Sequence, residues 1–232
     1  MPLKAVCFDF QDTLAYYPGG NYASYVQAAQ EHGVSLTQQQ LNAHPLDDAW
    51  SHWQTALGPD HSAHAASEAS WRPVHAGVHA QRIEAMGVDP ALATAIADRV
   101  VELQAEPAGY ALFNDAMPAL ERLTHAGIES LIVSNHIWRL PEIVVALGIG
   151  SRLEGVLTSA RVGYRKPHPQ IYAAALRLAA CEPAELLFVG DNAGHDVEGP
   201  RAAGMRALLL DREAETDIAG GVVRSLLDVP LE

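Results

Sequence analysis

Residues 6–15 read VCFDFQDTLA, an apolar run that ends in a cluster of polar side chains. Asp9 closes the run, Gln11 and Asp12 follow, and Thr13 completes the cluster. A short, continuously apolar run is typical of a strand that is buried on both faces of a parallel sheet. Ligands of open α/β sheets bind beyond the carboxyl ends of such strands. The stretch therefore predicts both a fold and the place of a site.

Other apolar runs along the chain have the same character. They are residues 130–134 (SLIVS), 186–189 (LLFV) and 207–210 (ALLL), with 155–157 as a weaker candidate and 5–10 as the first strand. Segments with helical spacing lie between them, of which residues 117–126 and 169–181 are the clearest. Strands that alternate with helices predict an α/β fold built on a doubly wound parallel sheet.

One long region breaks this alternation. Residues 16–108 contain no convincing strand, but they contain helix-like stretches near residues 22–32, 37–57, 66–86 and 90–104. We interpret the region as an insertion after the first strand. Residues 1–15 and 109–232 then form a Rossmann-like core, and residues 16–108 form an α-helical cap domain.

Composition and net charge limit the binding partners and the cellular compartment that we expect. The net charge of −13 disfavours nucleic acid and anionic membranes as partners. No apolar stretch is long enough to span a bilayer, and no signal peptide is recognisable. Cys7 and Cys181 form no CxxC pair, so we expect reduced thiols and a cytoplasmic protein. The oligomeric state is not indicated.

Polar side chains follow several of the predicted strands. Ser134 and Asn135 end one run, Asp191 follows Gly190 after another, and Lys166 precedes the helix over residues 169–181. This set suits phosphoryl transfer. Two carboxylates can hold Mg²⁺ or attack phosphorus, while a hydroxyl and an ammonium group stabilise the phosphoryl oxygens. Taken singly, the same residues also fit helix caps or solvated loops.

Across residues 3–210 the chain resembles the haloacid dehalogenase-like hydrolase superfamily, in the branch with a helical cap after the first strand. Four motifs of that superfamily match in order. The resemblance implies a nucleophilic Asp9 and an aspartyl-phosphate intermediate. It also implies Gln11 and Lys166 as catalytic residues; Thr13, Ser134, Asn135 and Lys166 at the substrate phosphate; and Asp9, Asp191 and the Gln11 carbonyl as Mg²⁺ ligands. Asp196 would support Lys166 or a metal-bound water from behind.

Gln11 departs from the superfamily pattern. An Asp usually stands there, which protonates the leaving oxygen and then activates the attacking water. A Gln amide orients water but carries no proton at pH ~7. Asp12 is expected to face away, because neighbouring side chains of an extended segment point in opposite directions. Three interpretations stay open: a slow phosphatase or one with easy leaving groups, a proton supplied by the cap, or an altered or lost reaction.

The predicted cap is rich in histidine and tryptophan. Its seven histidines are His32, His44, His52, His61, His64, His75 and His79. One of them can serve as a proton donor, and the pairs 61/64 and 75/79 also fit zinc, but core or surface roles are favoured. Trp50, Trp53, Trp71 and Arg72, together with Trp138, are candidates for a pocket wall, although tryptophans at helical spacing usually belong to the core.

The favoured function is a Mg²⁺-dependent phosphohydrolase that acts on a small phosphorylated metabolite. One alternative is a phosphate-binding or regulatory protein whose catalysis is weak or lost because of Gln11. Another is a 2-haloacid dehalogenase, since dehalogenases also lack Asp at this position and share the Lys166-Pro167 and Ile171-Tyr172 elements. Dehalogenases need no metal and lack an acidic residue at the place of Asp191, so they are disfavoured.

Overall fold

The computed structural model describes residues 1–214 and 221–232, and all of their side chains except those of residues 56 and 57. The strands are β1 (Ala5–Phe8), β2 (Ala15–Tyr16), β3 (Ala111–Leu112), β4 (Glu129–Ser134), β5 (Gly155–Thr158), β6 (Leu186–Gly190), β7 (Arg206–Leu210) and β8 (Val222–Val223). Six of them form one parallel sheet in the order β5-β4-β1-β6-β7-β8, while β2 and β3 form an antiparallel pair. The predicted α/β fold with a parallel sheet is confirmed.

Strand β1 lies at the centre of the sheet, which explains why residues 5–8 are all apolar. All four of its residues are buried, and Cys7 pairs with Leu131 of β4 on one side and Phe188 of β6 on the other. Phe8 and Cys7 belong to hydrophobic clusters on opposite faces of the sheet, because successive side chains of a strand alternate. Because β1, β4 and β6 run parallel, their carboxyl ends meet at one edge of the sheet.

The predicted strands lie at the expected positions in the sequence, but some of their boundaries differ from the prediction. The weak candidate at residues 155–157 is a strand, and the first strand ends at Phe8 rather than at residue 10. The short strands β2, β3 and β8 were not predicted. Each has two residues, which is too short for any periodic pattern to register.

Five helices lie between β2 and β3: α1 (Ala23–Glu31), α2 (Gln38–Ala43), α3 (Leu46–Leu57), α4 (Glu68–Ala85) and α5 (Pro90–Gln104). The helix expected over residues 37–57 is divided, because Pro45 disfavours helical backbone at His44. Helices α1, α2, α4 and α5 share a buried cluster that includes Tyr25, Leu41 and Ile83, whereas α3 packs through Trp50 and Trp53 in another cluster. The exact limits of a cap domain stay a prediction.

The remaining helices flank the sheet. They are α6 (Ala116–His125), α7 (Leu140–Ala146), α8 (Ser159–Val162), α9 (Pro169–Ala179) and α10 (Gly199–Ala202). Leu120 of α6 and Ile143 of α7 pack on one face of the sheet, whereas Ile171 of α9 packs on the other. Within the described ranges, no helix is both long and apolar enough to cross a membrane.

Candidate active site

The carboxyl edge of the sheet brings together side chains from separate parts of the chain. Asp9 follows β1, Ser134 ends β4 and Asp191 follows β6, while Lys166 comes from the loop before α9. Lys166 Nζ lies 2.9 Å from Asp9 Oδ1. Most of the predicted site residues thus converge at the edge where the sequence placed them.

Lys166 is held from behind by Asp196. Its Nζ donates a hydrogen bond to Asp196 Oδ1 at 2.6 Å, and both side chains are buried. Burial by itself lowers the pKa of Lys166, but the charges of Asp196 and Asp9 outweigh it and raise the pKa above its ordinary value. The ammonium group is therefore a fixed positive charge beside Asp9.

Asp196 needs a glycine for its place in the site. A Cβ atom on Gly190 would lie 2.3 Å from Asp196 Oδ2, so any larger residue at the end of β6 would displace the carboxylate. The same oxygen accepts a hydrogen bond from Asn192 N at 3.0 Å. This explains physically why Gly precedes Asp191 in the motif.

Asp9 and Asp191 form an acidic pair that fits a cation. One oxygen each from Asp9, Asp191 and Asp196 lies within 4.8 Å of the others. Burial in the site, together with the charges of Asp9 and Asp196, raises the pKa of Asp191 to about 7, although its side chain opens onto a cavity. Both oxygens of Asp196 accept hydrogen bonds, from Lys166 Nζ and Asn192 N, whereas Asp9 and Asp191 each use one oxygen in the contacts of the site. The other oxygens of Asp9 and Asp191 are thus the donors that remain, and oxygen donors suit a hard cation such as Mg²⁺.

The oxygen atoms of Asp9 support this fit. Asp9 Oδ1 is buried and accepts no hydrogen bond of regular geometry among the residues that the structure describes. Lys166 Nζ lies 2.9 Å away and balances its charge from one side. A buried carboxylate oxygen with unused acceptor capacity is costly unless a further positive group or donor satisfies it. A cation between Asp9 and Asp191 would do so.

Two residues that were predicted at the substrate phosphate make hydrogen bonds to other residues of the site. Thr13 is fully buried, and its Oγ1 donates to Asp191 Oδ1 at 3.3 Å. The Asn135 side chain bonds both backbone groups of Lys166, with Asn135 Nδ2 to Lys166 O at 2.9 Å and Lys166 N to Asn135 Oδ1 at 2.7 Å. These bonds position Asp191 and Lys166, and the contacts of Thr13 and Asn135 with a phosphate stay predictions.

The expectation that Asp12 faces away from the site is wrong. The backbone at Asp12 is left-handed, with φ 58°, so the alternation of an extended segment does not apply. Both Gln11 and Asp12 line the same cavity as Asp9. Asn21 Nδ2 donates to Asp12 Oδ2 at 3.0 Å, and partial burial raises the pKa of Asp12, with Asp9 adding to the rise.

The cavity above Asp9 has a volume of about 370 Å³ and reaches the helices between β2 and β3. Trp50 and Trp71 form part of its far wall, with ring planes 8° apart and centroids 5.8 Å apart. Both are also buried in a hydrophobic cluster, so they are core and pocket wall at once. Arg72 instead lies on the surface, where it pairs with Glu102.

Three histidines line the cavity: His75, His136 and His195. His75 Nε2 bonds His79 Nε2 at 2.9 Å, and His79 Nδ1 bonds the Tyr25 hydroxyl. Burial lowers the pKa of His79 to about 3 and that of His75 well below its ordinary value, so both rings are neutral at pH ~7. His136, which was not predicted, also lines the cavity, and burial lowers its pKa to about 4. Nothing in its spacing separates it from an ordinary loop residue.

Comparisons with known proteins agree with this geometry. The family model for haloacid dehalogenase-like hydrolases matches residues 3–204. Haloacid dehalogenase-like hydrolase domain-containing protein 3 of Homo sapiens is 30% identical over 213 residues, which are 90% of this chain and 82% of that protein. A phosphoserine phosphatase of Thermus thermophilus is 29% identical over 197 residues, covering 75% of this chain and 76% of its own.

A solved structure supports the fold. The HAD-hydrolase YfnB from Bacillus subtilis, solved with bound magnesium, aligns with a TM-score of 0.71 at 14% identity and covers 98% of this chain and 96% of its own. The match of the family model over most of the chain and the identity to the human relative agree with the four motifs at the sheet edge. The chain belongs to the haloacid dehalogenase-like hydrolase family.

Proposed function

We propose that this hydrolase is a cytoplasmic, Mg²⁺-dependent phosphatase that acts on a small phosphorylated metabolite through an aspartyl-phosphate at Asp9. The position of Asp9 carries the proposal. The ammonium of Lys166 lies on one side, and the carboxylate of Asp191 lies close enough to share a cation. The similarity to a phosphoserine phosphatase supports phosphoryl chemistry.

The residues divide the work between them. The Asp9 carboxylate attacks phosphorus and the leaving oxygen departs, after which water attacks the aspartyl-phosphate and releases inorganic phosphate. Lys166 places a positive charge beside Asp9, and Ser134 is a donor at the end of β4 for a phosphoryl oxygen. Asp9, Asp191 and the Gln11 carbonyl would hold Mg²⁺, which supplies positive charge against the phosphoryl oxygens. The helices between β2 and β3 then act as a cap over the cavity.

Gln11 shapes which substrates react well. Its amide orients a water molecule but neither protonates a leaving oxygen nor removes a proton from the water. We therefore propose that aryl phosphates, whose leaving groups need no protonation, transfer their phosphoryl group readily. Hydrolysis of the aspartyl-phosphate is then the slow step.

The experiment is hydrolysis of para-nitrophenyl phosphate by the purified chain, with Mg²⁺ and with EDTA. We expect turnover that depends on Mg²⁺ and is abolished by Asp9→Asn. The matched control is Asp98→Asn, which removes an exposed carboxylate on α5. Hydrolysis that is indifferent to both EDTA and Asp9→Asn contradicts the proposal.

Gln11 also favours a second candidate, a phosphate-binding or regulatory protein without turnover. Tight binding of phosphate or of phosphorylated metabolites, with no product from a broad panel, would establish it in place of the phosphatase. A 2-haloacid dehalogenase is disfavoured by the Asp9–Asp191 pair, which calls for a cation. Release of chloride from a 2-haloacid without metal would reverse that judgement.

A further inference from the structure

Arg82 of α4 is a buried cation without a counterion. Its side chain is 2% exposed, and its face packs on the rings of Tyr25 and Tyr22, with centroid distances of 4.5 and 5.1 Å. Nε and Nη2 donate to the carbonyls of His44 and Leu41 at 2.6 and 3.0 Å. Nη1 has no hydrogen-bond partner among the described residues.

Arg82 is buried without a carboxylate beside it, in a chain that is rich in acidic residues. The net charge is −13, and Arg72, on the same helix, pairs with Glu102 at 3.1 Å. No carboxylate of the described residues lies within ion-pairing distance of Arg82. A buried charge is costly unless it is paired, so an anion from outside the chain is the expected partner.

Arg82 lies on the wall of the catalytic cavity together with a second unused donor. Trp71 is 2% exposed and lines the same cavity, and its Nε1 has no acceptor within the described chain. Residues 71, 75 and 82 are four and seven positions apart, so Trp71, His75 and Arg82 share one face of α4. That face closes the cavity opposite the acidic end at Asp9 and Asp191.

A second cavity also borders Arg82, but its charges are unsuitable for an anion. It has a volume of about 590 Å³, and its other charged residues are Asp48 and Glu84. In the catalytic cavity a further guanidinium, that of Arg165, is buried, stacks on Trp50 at 4.2 Å and pairs with Asp47 at 3.5 Å. Once a cation balances Asp9 and Asp191, this cavity sets two guanidiniums against Asp12 and Asp47, whereas the second cavity sets one against two carboxylates, so an anion is better stabilised in the catalytic cavity.

We propose that the α4 face of the catalytic cavity is a carboxylate subsite, so that the preferred substrate is a phosphomonoester whose leaving group carries a carboxylate. Arg82 supplies the charge. The phosphoryl group lies at the acidic end with its cation, and the carboxylate lies at the opposite end. This inference rests on the proposed phosphatase function and adds the class of substrate to it.

The test uses phosphonooxy-carboxylates of increasing chain length, each paired with its uncharged amide. At the chain length that spans the cavity, we expect kcat/KM for the acid to exceed that for the amide by about tenfold or more. Arg82→Gln should remove this preference. Arg72→Gln, on the exposed side of α4, should leave the acid-to-amide ratio as it is.

The outcomes separate this inference from the proposed function. If para-nitrophenyl phosphate is hydrolysed but no acid is preferred over its amide, the carboxylate subsite is wrong and the phosphatase stands. A preference for bisphosphates over every carboxylate overturns it as well. If no phosphomonoester reacts, the phosphatase is wrong, and calorimetric binding of the acids against the amides still decides the subsite. Where Arg82→Gln does not fold, Arg82→Lys should lower the ratio without abolishing it, and an unchanged ratio would overturn the subsite.

Discussion

Lys166 Nζ lies 2.9 Å from Asp9 Oδ1, and Asp196 holds the same ammonium from the other side. Removing Lys166 leaves two carboxylates without their cation. We expect Lys166→Met to lower the free energy of unfolding by about 3–5 kcal/mol. It should also reduce kcat on para-nitrophenyl phosphate by about 10²–10³-fold, because the positive charge beside the reacting group is lost. Urea unfolding and steady-state kinetics measure the two effects.

A double variant separates stability from catalysis at this pair. Lys166→Met with Asp196→Asn removes one of the two stranded charges, so part of the lost stability should return while kcat stays low. If kcat recovers with stability, Lys166 serves only to hold the fold.

Gln11 is the residue that limits hydrolysis in this account. Gln11→Asp restores a group able to give and take a proton, and general acid–base catalysis is worth roughly 10²–10⁴-fold. We expect turnover of alkyl phosphates to rise at least about tenfold toward that range, with a smaller gain on aryl phosphates. Gln11→Asn, which has the size of Asp without its proton, is the control. A rate for Gln11→Asp that is unchanged or lower would mean that the cavity is tuned for other chemistry.

The backbone at Asp12 is left-handed, with φ 58°, so a glycine at this position should give a more stable protein than an alanine. Left-handed backbone costs a residue with a Cβ atom about 1–2 kcal/mol, which glycine avoids. Asp12→Gly should therefore unfold at a higher urea concentration than Asp12→Ala. At exposed Glu84 in α4 the order should invert, because alanine is the better helix former. Equal stabilities of the two Asp12 variants would argue against the turn.

His75 and His79 predict a loss of stability in acid. Burial holds the pKa of His79 at about 3, below the value of ~6.5 in an unfolded chain, so the unfolded state binds the proton first. Stability is therefore full above pH ~6.5 and falls as the pH drops, by about 1.4 kcal/mol per pH unit for each such ring.

Urea unfolding at pH ~7.5 and ~5.5 measures this slope. His79→Gln should be less sensitive to acid than the wild type, whereas a substitution of exposed His125 by Gln should change the slope little. A wild type and a His79→Gln variant with the same pH dependence would contradict neutral, buried rings.

The sequence predicted the sheet edge well, because the rules for parallel strands are local. A continuous apolar run marked β1, and the carboxyl ends of parallel strands had to meet, so Asp9, Ser134 and Asp191 were expected together. The supporting contact between Lys166 and Asp196 was one of several alternatives weighed, and the structure selects it.

Other parts of the site depend on features that no periodic pattern records. Asp12 was misplaced because a single left-handed residue ended the alternation of the strand. Arg82 was not singled out, since helical spacing gives its face on α4 but not the absence of a carboxylate around it. The bond from the Thr13 hydroxyl to Asp191 was not predicted, because the order of the motifs does not show it.

The most direct measurement is to trap the phosphorylated enzyme. The wild type is mixed with para-nitrophenyl phosphate and Mg²⁺, and the reaction is quenched in acid. The protein is then digested, and the masses of its peptides are measured by mass spectrometry. Because Gln11 cannot activate water as a base, the aspartyl-phosphate should hydrolyse slowly and accumulate. We therefore expect the peptide that contains Asp9 to gain the mass of one phosphoryl group. Asp9→Asn should show no such gain. Release of nitrophenol with no phosphorylated Asp9, or with the phosphoryl group on another residue, would contradict it.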